Sequence, residues 1–434
     1  MSVAVASPPP WRRRITRAWL GLPLLALWRL LDLLVPKRLD RWAFFAHPLK
    51  PGQFVENARA VFEQVKHEPG LQRWIFVRGG HRPPGIEEGP GTRIADLDSL
   101  AGLWALARCG VLLLTNSTAM DMSLAWQGGG FAAPRPWFGR RVVVNLWHGI
   151  PLKRLFALAH PQQRHHGDRN RSRRRERRHY DGLVASSPVD SHAMAAIFHP
   201  LPPDRVWVTG LPRNDFLRME EAALPPALAA ELQRVRALRQ GRRLVLYAPT
   251  YRDASVARDL CYRFDDTEVQ RLKLLLERHG AMLGMRGHYL ANAPSPFARD
   301  HFDGRTLVDL DHASFHELAP LLRESAVVLT DYSSVYIDAL YLDLPVVSFA
   351  YDLEHYSQRQ NGLLYDMELA FPGPVATDFQ ALLAALEAIL SRPACVPDER
   401  YRAAQRLFFQ HGDAGNSRRL VERLQAAIAA RSRR

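Results

Sequence analysis

Cysteine is scarce in this sequence, which contains three in 434 residues: Cys109, Cys261 and Cys395. They lie far apart, and none belongs to a Cys-x-x-Cys pair, the spacing used by many zinc and redox sites. Neither a disulfide framework nor a cysteine zinc site is indicated. We therefore expect a reduced, cytoplasm-facing location.

A long uninterrupted hydrophobic run is also missing. The apolar stretch at residues 15–35 contains Arg17, Arg29 and Asp32 and is divided by Pro23, whereas a transmembrane helix needs about 20 predominantly apolar residues. No small-residue cleavage site follows it, as a secretory signal peptide would require. We favour a helix that lies in a membrane interface, and the alternative is an amphipathic helix packed on the protein's own core.

Acidic residues are outnumbered, with 44 Asp and Glu against 58 Lys and Arg and a formal net charge of +14. This balance indicates an anionic partner: nucleic acid, an acidic membrane surface or a polyanionic substrate. Eight arginines lie between Arg164 and Arg178, with Asp168 and Glu176 as the two acids among them. We interpret this arginine run as an anion-binding patch rather than a solvated loop. No RNA-binding motif accompanies it, so no nucleic acid is expected.

What is present is an ordinary globular composition, 47% hydrophobic and 24% charged. Apolar runs such as Val111–Leu114 and Leu244–Tyr247 are typical of buried parallel strands, and helical patterns lie between them. This alternation predicts doubly wound α/β units in two series, separated by a charged helical stretch at 220–242. We expect a membrane-associating segment (residues 1–40), an N-terminal α/β domain (41–222), a C-terminal α/β domain (223–395) and a C-terminal helical segment (396–434).

The segment Leu-Trp-His-Gly-Ile-Pro-Leu-Lys at 146–153 directly follows a predicted strand, Val142–Asn145. Open α/β sheets bind ligands at the carboxyl ends of their strands, where this segment places His148. A histidine can remove a hydroxyl proton near neutral pH, and Lys153 can meet a phosphate as a point charge. A lone histidine is more often structural, so the interpretation depends on the motifs that accompany it.

Four further motifs place Arg, His or hydroxyl side chains after predicted strands. They are Gly-Leu-Pro-Arg-Asn-Asp at 210–215, Tyr-Ala-Pro-Thr-Tyr-Arg-Asp at 247–253, Gly-Met-Arg-Gly-His at 284–288 and Thr-Asp-Tyr-Ser-Ser at 330–334. Taken singly, the motifs at 247–253 and 284–288 are better explained as ordinary polar loops, and a helix cap explains Asn214 and Asp215 at least as well. Together they put these groups at strand ends in both halves of the chain, where a cleft between two α/β domains would gather them.

Neither a glycine-rich phosphate loop nor carboxylates clustered at an obvious Mg²⁺ spacing accompany these motifs. The phosphate-binding candidate is instead the predicted helix start after 330–334. There Ser333 and Ser334 add two hydroxyls to the free backbone N–H groups of a helix N-terminus, whereas simple capping needs one. No metal site or cofactor is indicated, and a loosely bound Mg²⁺ stays an alternative.

In this order and spacing the motifs, together with Leu-x-x-Pro-x-x-x-Phe-x-Tyr-Asp close behind, resemble the CDP-glycerol glycerophosphotransferase family, which comprises teichoic acid primases and polymerases. The resemblance covers residues 50–375. It implies the GT-B-like fold, in which two doubly wound parallel-sheet domains face a cleft. It also implies transfer of glycerol phosphate, or another polyol phosphate, from CDP-glycerol or CDP-ribitol to a hydroxyl, with release of CMP, in teichoic-acid-like or capsule polymer synthesis.

The resemblance assigns roles to individual residues. His148 matches the general base on the acceptor hydroxyl, and His288 matches a second essential histidine near the donor phosphates. The positions that match donor-binding residues are Gly149, Ile150, Pro151, Leu152, Arg213, Pro249, Thr250, Arg252, Arg286, Ser333, Ser334 and Asp338.

Members of the family are peripheral membrane proteins with lipid-carried acceptors. The resemblance therefore favours a peripheral position on the cytoplasmic face, with an anionic membrane surface and a lipid-linked or polyanionic polymer acceptor as partners. Gly287 between Arg286 and His288, with Tyr289 after them, departs from the usual pattern at the phosphate turn. The Arg- and Ala-rich composition also departs from it and leaves the acceptor open. The alternatives are a nucleotide-sugar glycosyltransferase on the same fold and a non-catalytic protein that binds membrane or nucleic acid.

Overall fold

The computed structural model of the chain describes residues 14–50, 52–125, 127, 130–159, 168–250, 262–287, 295–354, 356, 362–392 and 396–433. Two parallel β-sheets, one in each half of the chain, are flanked by helices. The α/β class with two parallel sheets is therefore confirmed. The boundaries of the four predicted parts stay predictions.

The first half contains nine strands and seven α-helices within the described residues. The strands are β1 (Arg38–Phe45), β2 (Gln72–Val77), β3 (Thr92–Asp96), β4 (Cys109–Leu114), β5 (Leu124–Ala125), β6 (Phe131–Ala132), β7 (Val142–Asn145), β8 (Gly182–Ala185) and β9 (Val206–Val208). The helices are α1 (Ala18–Leu34), α2 (Glu56–Val65), α3 (Leu100–Arg108), α4 (Thr118–Asp121), α5 (Asp168–Arg177), α6 (Pro188–Ile197) and α7 (Asp215–Arg218).

The second half contains six strands and eight α-helices within the described residues. The strands are β10 (Arg243–Tyr247), β11 (Ala281–Met285), β12 (Leu307–Asp309), β13 (Ser325–Thr330), β14 (Val346–Phe349) and β15 (Val375–Ala376). The helices are α8 (Pro226–Arg239), α9 (Asp266–Arg278), α10 (Ala319–Arg323), α11 (Val335–Leu340), α12 (Met367–Ala370), α13 (Phe379–Leu390), α14 (Glu399–Phe408) and α15 (Asn416–Ser432).

The first sheet has the strand order β3-β2-β1-β4-β7-β8-β9, with every neighbouring pair parallel. All six residues of β4, at its centre, are buried, because helices cover both faces of the sheet. The carboxyl end of β7 leads directly into the loop that carries His148. Its neighbour β4 ends at Leu114, so that Thr115 lies beside this loop.

The second sheet has the order β12-β11-β10-β13-β14-β15, again with every neighbouring pair parallel. Its central strands β10 and β13 end next to each other, since Tyr247 is the register partner of Leu329. The loops that follow them, beginning at Ala248 and Asp331, therefore start side by side. This adjacency brings residues 247–250 of one predicted motif and residues 330–334 of another to one edge of the sheet.

Helix α1 packs one face on the first domain. Gly21, Leu25, Trp28 and Asp32 are buried, at the spacing that places residues on one side of a helix, and Nε1 of Trp28 donates to the carbonyl of Leu103 at 2.7 Å. The opposite side is also apolar and is exposed. Among the described residues, no helix has the length and hydrophobicity to cross a membrane.

The C-terminal segment returns to the first half of the chain. Helix α15 packs against α2 and β7. At its start, the carboxylate of Asp215 accepts hydrogen bonds from the backbone N–H groups of Asn416 and Ser417, at 2.8 and 2.7 Å. Near its end, Arg431 forms an ion pair with Asp181 at 2.7 Å. These contacts fasten the end of the chain to the first sheet.

Candidate functional site

A cavity of about 240 Å³ lies between the two halves, at the carboxyl ends of both sheets. The first half contributes residues from the loop after β1, the start of α2, the His148 loop and the turn at Pro212–Asn214. The second half contributes the loops after β10, β11 and β13. The lining residues used below are Lys50, Glu56, His148, Arg213, Pro249, Arg286, Glu317, Ser333, Ser334 and Asp338.

His148 is exposed to this cleft, and its orientation is fixed on one side by the backbone. Nδ1 lies 3.3 Å from the carbonyl oxygen of Thr115. A carbonyl can only accept, so Nδ1 carries the proton and the lone pair is left on Nε2. The ring also packs on the indole of Trp147, with 3.9 Å between the ring centroids. The structure thus holds an imidazole in the tautomer that a general base needs.

The loop around His148 adopts unusual backbone conformations. Trp147 has a φ of +54°, in the left-handed region that non-glycine residues rarely occupy and that recurs at functional sites. Gly149 has a φ of +156°, and a Cβ there would lie 3.2 Å from Nη2 of Arg213. A glycine at this position lets the Arg213 guanidinium approach the loop closely.

The electrostatic surroundings keep His148 neutral. Desolvation by the surrounding walls of the cleft lowers the pKa of His148 below its usual 6.5, and the Glu56 carboxylate offsets part of this effect. For Glu56 itself, burial opposes ionisation, but Lys50 and Arg213 outweigh it and lower the pKa of the carboxyl. At neutral pH the cleft therefore contains an unprotonated imidazole beside an ionised carboxylate.

Arg213 joins the two halves of the cleft. Its Nη1 donates to the carbonyl of His148 and its Nη2 to the carboxylate of Asp338, both at 2.7 Å. Its backbone N–H donates to Asn57 at 3.0 Å, and the Asn57 amide donates to the carbonyl of Trp147 at 2.9 Å. Although burial alone would lower it, Asp338 and Glu56 raise the pKa of Arg213. Arg213 and Asp338, both predicted to bind the CDP-alcohol, are thus hydrogen-bonded to each other.

On the opposite wall, Asp331 orders the two loops that begin side by side. Its Oδ1 accepts hydrogen bonds from the backbone N–H of Thr250 at 2.7 Å and from that of Tyr332 at 2.6 Å. The predicted site residues Ser333 and Ser334 follow, with Ser334 at the cap position of α11. Its side chain makes no capping hydrogen bond, so simple capping does not explain both serines, and both of them line the cavity.

Arg286 is buried at the end of β11. Its Nη1 donates to the carbonyls of Leu310 and Asp311, at 2.7 and 2.8 Å. Desolvation lowers the pKa of Arg286 to about 10, so the guanidinium remains charged at neutral pH. Held by carbonyls, it presents a fixed positive charge to the cleft.

Other predicted site residues lie away from the cavity or outside the described residues. Ile150 and Leu152 are each 2% exposed and belong to the hydrophobic core, and Pro151 between them is also buried. Lys153 lies over the ring of Tyr356, 5.7 Å from its centroid. Two of the predicted residues, Arg252 and His288, lie outside the described residues.

Three charged residues of the cavity were not found by sequence reasoning: Lys50, Glu56 and Glu317. The backbone N–H of Glu56, a residue with a φ of +59°, donates to Oε1 of Glu317 at 2.8 Å. Burial and the neighbouring Glu56 carboxylate raise the pKa of Glu317 to about 7. No motif marks these residues, because their proximity arises from packing of the two halves.

Metal ligation is not evident in the part of the chain that the structure describes. No group of three or more His, Cys, Asp and Glu side chains in that part is arranged to hold a metal ion. The positive charge that borders the cleft comes from Lys50, Arg213 and Arg286.

Comparison with known sequences places this site in context. Residues 31–426 match the profile of the family described as CDP-Glycerol:Poly(glycerophosphate) glycerophosphotransferase. Over 261 residues the chain is 27% identical to the teichoic acid glycerol-phosphate transferase of Staphylococcus aureus, a match that covers 58% of this chain and 62% of that protein. Over 391 residues it is 27% identical to a teichoic acid poly(glycerol phosphate) polymerase of Bacillus spizizenii, covering 86% and 89% of the two chains.

Comparison with solved structures identifies one that shares the fold of this chain. The structure of the wall teichoic acid polymerase TagF superposes with a TM-score of 0.72 at 19% sequence identity, over 95% of both chains. This likeness establishes the fold and confirms the predicted GT-B-like arrangement. The chain spans 62% of the length of the staphylococcal relative.

Proposed function

Because the chain belongs to the CDP-glycerol glycerophosphotransferase family, we propose that it transfers glycerol phosphate, or another polyol phosphate, from a CDP-alcohol to a hydroxyl of a membrane-linked or surface-polymer acceptor. CMP is the product released, and the polymer is of the teichoic acid or capsule type. One observation carries the proposal: a neutral His148 in the first half faces Arg286, Ser333 and Ser334 of the second half across one cavity.

In this reaction His148 acts as the general base. The acceptor hydroxyl oxygen attacks the phosphorus that carries the polyol, and its proton passes to Nε2 of His148. A new oxygen–phosphorus bond forms while the bond from that phosphorus to the bridging oxygen of the pyrophosphate breaks. CMP leaves with the bridging oxygen and the electron pair. The hydrogen bond from Nδ1 to the carbonyl of Thr115 keeps the lone pair that accepts this proton on Nε2.

The donor pyrophosphate binds on the side of the second half. Arg286 and Arg213 supply fixed guanidinium charge, and the hydroxyls of Ser333 and Ser334 supply donors for phosphate oxygens. Phosphoryl transfer depends more on such positioning and charge stabilisation than on covalent chemistry. We assign Pro249 and Thr250 to the same donor site, since their loop is tied to Asp331. The roles of Arg252 and His288 in donor binding stay predictions.

We also place the protein at the membrane surface through α1. The exposed side of this helix carries Trp19, Leu20, Leu22, Leu27, Leu30 and Leu34, each more than half exposed. Exposed apolar patches of this kind mark interaction surfaces. A lipid-linked acceptor would bring its growing end to an enzyme held at the same surface. The cytoplasmic side of the membrane remains the predicted one.

The decisive experiment measures CMP release by the purified full-length protein from CDP-glycerol and CDP-ribitol, with UDP- and GDP-sugars as competing donors. We expect turnover of a CDP-alcohol and a loss of about 10²-fold or more in His148→Ala. His192→Ala, at an exposed histidine of α6, is the matched control and should retain full activity. Unchanged turnover in His148→Ala would remove this residue from the mechanism, and preferential turnover of a UDP-sugar would replace the proposal with a glycosyltransferase.

A further inference from the structure

The hydrogen bond that orients His148 ends at a peptide group that is held from its other side. The carbonyl of Thr115 accepts from Nδ1 of His148 at 3.3 Å. The N–H of the same peptide unit belongs to Asn116 and donates to Oδ2 of Asp121 at 2.9 Å. Because the C=O and N–H of a planar trans peptide point in opposite directions, the imidazole and the carboxylate bind its two ends.

Asp121 is fully buried and accepts three further hydrogen bonds from the turn that contains this peptide. Its Oδ2 accepts from the backbone N–H of Thr115 at 2.9 Å, and its Oδ1 accepts from the Thr115 hydroxyl at 3.1 Å and from the Asn116 amide at 3.3 Å. Backbone N–H groups can only donate, so this side chain serves as the acceptor, as an ionised carboxylate does. The turn at the end of β4 therefore depends on one carboxylate.

A positive charge accompanies the Asp121 carboxylate inside the domain. Desolvation raises the pKa of Asp121, whereas the hydrogen bonds from Asn116 and Thr115 and the charge of Arg78 act in the opposite direction. The Arg78 guanidinium donates to the backbone carbonyl of Asp121 itself and to that of Ser123, the latter at 2.7 Å. Arg78 thus holds the segment of the chain to which the carboxylate is attached.

The loop that contains His148 is fixed on both sides of Trp147. The N–H of Trp147 donates to Oδ1 of Asn145, and its carbonyl accepts from the amide of Asn57, both at 2.9 Å. Nδ2 of Asn145 also donates to the carbonyl of Asn116 at 2.7 Å, so one amide joins the two loops. Both amide side chains are fully buried. These bonds hold the left-handed conformation of Trp147 and set the distance between the imidazole and its backbone partner.

We propose that Asp121 is a positioning residue for His148 and that it acts through the peptide group between Thr115 and Asn116. The carboxylate fixes the direction of the Thr115 carbonyl, which keeps the imidazole proton on Nδ1. It also polarises the peptide, since a negative charge at the N–H end strengthens the carbonyl as an acceptor. No proton passes between the two side chains. This inference rests on the proposed function, to which it adds the group that orients the base.

The same sheet contains a matched carboxylate on the other side of β7, because β8 pairs with β7 as β4 does. Asp190 is 1% exposed and accepts from the backbone N–H of Ser186, directly after β8, at 2.8 Å. The carbonyl at the other end of that peptide belongs to Ala185 and accepts from the backbone N–H groups of Thr209 and Gly210, at 3.2 and 3.1 Å. This carboxylate thus holds a turn whose far end meets backbone rather than an imidazole.

The tautomer and the pKa of His148 report directly on its positioning. The hydrogen bond to Thr115 raises the pKa of His148, against desolvation, which lowers it. Weakening that bond should therefore lower the pKa further and release the proton from Nδ1. The charged and titratable groups around the imidazole, on the cleft side and on the α5 side, stay unchanged in every variant below: His47, Glu56, Arg173, Glu176, Arg177 and Arg213.

The test follows the His148 imidazole in the purified full-length protein with ¹⁵N-labelled histidine. Two-bond ¹H–¹⁵N correlation spectra distinguish a proton on Nδ1 from one on Nε2, and His148→Gln assigns the signal. We expect the Nδ1–H form in wild type and in Asp121→Asn, whose amide can still bind the turn, with a lower pKa of His148 in this variant because the charge is lost. In Asp121→Ala the tautomer should shift toward Nε2–H, the form favoured in water.

The kinetic consequence is a loss of turnover without a loss of donor binding. In Asp121→Ala we expect kcat for CMP release to fall about 10²-fold because the base is misplaced, with KM for CDP-glycerol within about twofold. Asp121→Asn should retain more of the activity than Asp121→Ala. Asp190→Asn and Asp190→Ala are the matched controls, since each alters a buried carboxylate beside the same strand. They should leave the tautomer, the pKa and kcat unchanged even where thermal unfolding shows lower stability.

The tautomer in Asp121→Ala decides the proposal. A retained Nδ1–H form in folded Asp121→Ala would overturn it, and so would equal changes in the Asp190 variants, which would leave Asp121 with a structural role alone. If Asp121→Ala unfolds, the pKa of His148 in Asp121→Asn decides instead: a decrease supports the proposal and an unchanged value contradicts it. If wild type releases no CMP from any CDP-alcohol, the proposed function fails, whereas the spectra still test how His148 is positioned.

Discussion

At the scale of single residues, two opposing electrostatic effects determine the pKa of His148. Desolvation by the cleft walls lowers its pKa and the Glu56 carboxylate partly restores it, with a net decrease below 6.5. A general base must be unprotonated, so activity should fall as the pH decreases through this lowered pKa and should be insensitive to His148 above it. We expect the acidic limb of the rate of CMP release to have its midpoint below 6.5, measured as kcat/KM for CDP-glycerol against pH.

The Glu56 carboxylate provides a matched test of this assignment. Removing it in Glu56→Gln takes away the charge that favours the imidazolium, so the acidic limb should move to still lower pH. A limb with its midpoint at or above 6.5, or one that does not respond to Glu56→Gln, would contradict the role assigned to His148. His192→Ala again serves as the control, since it should leave the profile unchanged.

The sequence predicted site residues where a motif follows a strand. His148, Arg213 and Arg286 all occupy such positions, because the carboxyl ends of parallel strands converge on one edge of a sheet. Glu56 and Glu317 were missed because each is ordinary within its own segment, and they become neighbours only across the two halves. Asp338 was predicted as a donor contact, and the structure adds its ion pair with Arg213, which the sequence pattern does not reveal.

At the scale of elements, α1 contains a buried ionic network. Two nitrogens of Arg141 donate to the carboxylate of Asp32, at 2.6 and 2.8 Å, and Lys37 lies 3.0 Å from the same group. In the sequence, Asp32 interrupts an apolar stretch, whereas in the structure it is fully buried at the base of the helix. The acid that weakens a transmembrane interpretation is thus the residue that fastens α1 to the first domain.

Removing this carboxylate should destabilise the protein strongly. Asp32→Ala removes the carboxylate that pairs with the buried side chains of Arg141 and Lys37. Breaking a buried ion pair typically costs about 3–5 kcal/mol. We expect this decrease in the free energy of unfolding in denaturant titrations. Asp40→Ala, which removes an exposed ion pair with Arg38, is the control and should leave the transition nearly unchanged. Equal stability of the two variants would show that the network contributes little.

For the exposed side of α1 we predict an effect on membrane binding rather than on stability. Leu27 and Leu30 are 63% and 64% exposed, so replacing both by Gln should leave the thermal midpoint unchanged. Burying a leucine side chain in an apolar phase contributes about 1.5–3 kcal/mol, so binding to vesicles of anionic phospholipid should weaken more than tenfold. Leu274→Gln, at a leucine of α9 that is 61% exposed, is the control. Equal sedimentation of all three proteins with vesicles would exclude α1 as the contact.

The sequence identified most elements of the two large sheets, and its omissions have physical reasons. Runs such as Val142–Asn145 are apolar throughout because both faces of a central strand are covered. Strand β1, also central, was missed because it begins with Arg38, Asp40 and Arg41 and becomes apolar only in its second half. Strands β12 and β15, of three and two residues, are too short for any periodic pattern to mark them.

At the scale of the whole molecule, the two halves are tied together by two chain connections and by ion pairs between side chains. The chain crosses from the first sheet to the second through α8 and returns through α15, which packs on α2. Within the cleft, Arg213 forms the ion pair with Asp338, while nearby Arg218 forms one with Asp343 at 2.9 Å. The first of these pairs lines the cavity and the second does not. Both ion pairs hold the two halves in place, but only the Arg213–Asp338 pair also lies at the candidate active site. Substitutions at Arg213 and Arg218 can therefore separate alignment of the halves from the proposed catalysis.

Arg213→Ala should impair catalysis far more than Arg218→Ala, although each removes an arginine that joins the two halves. Arg213 also holds the carbonyl of His148. In the proposed reaction it supplies positive charge beside the transferred phosphate, and loss of such a preorganised group typically costs about 10²–10³ in kcat. Asp338→Asn, which retains an oxygen acceptor for Nη2, should have a smaller effect. The measurement is kcat and KM for CDP-glycerol, with thermal unfolding of each variant. A comparable loss of kcat in Arg218→Ala would show that alignment of the halves, rather than the charge in the cleft, limits the reaction.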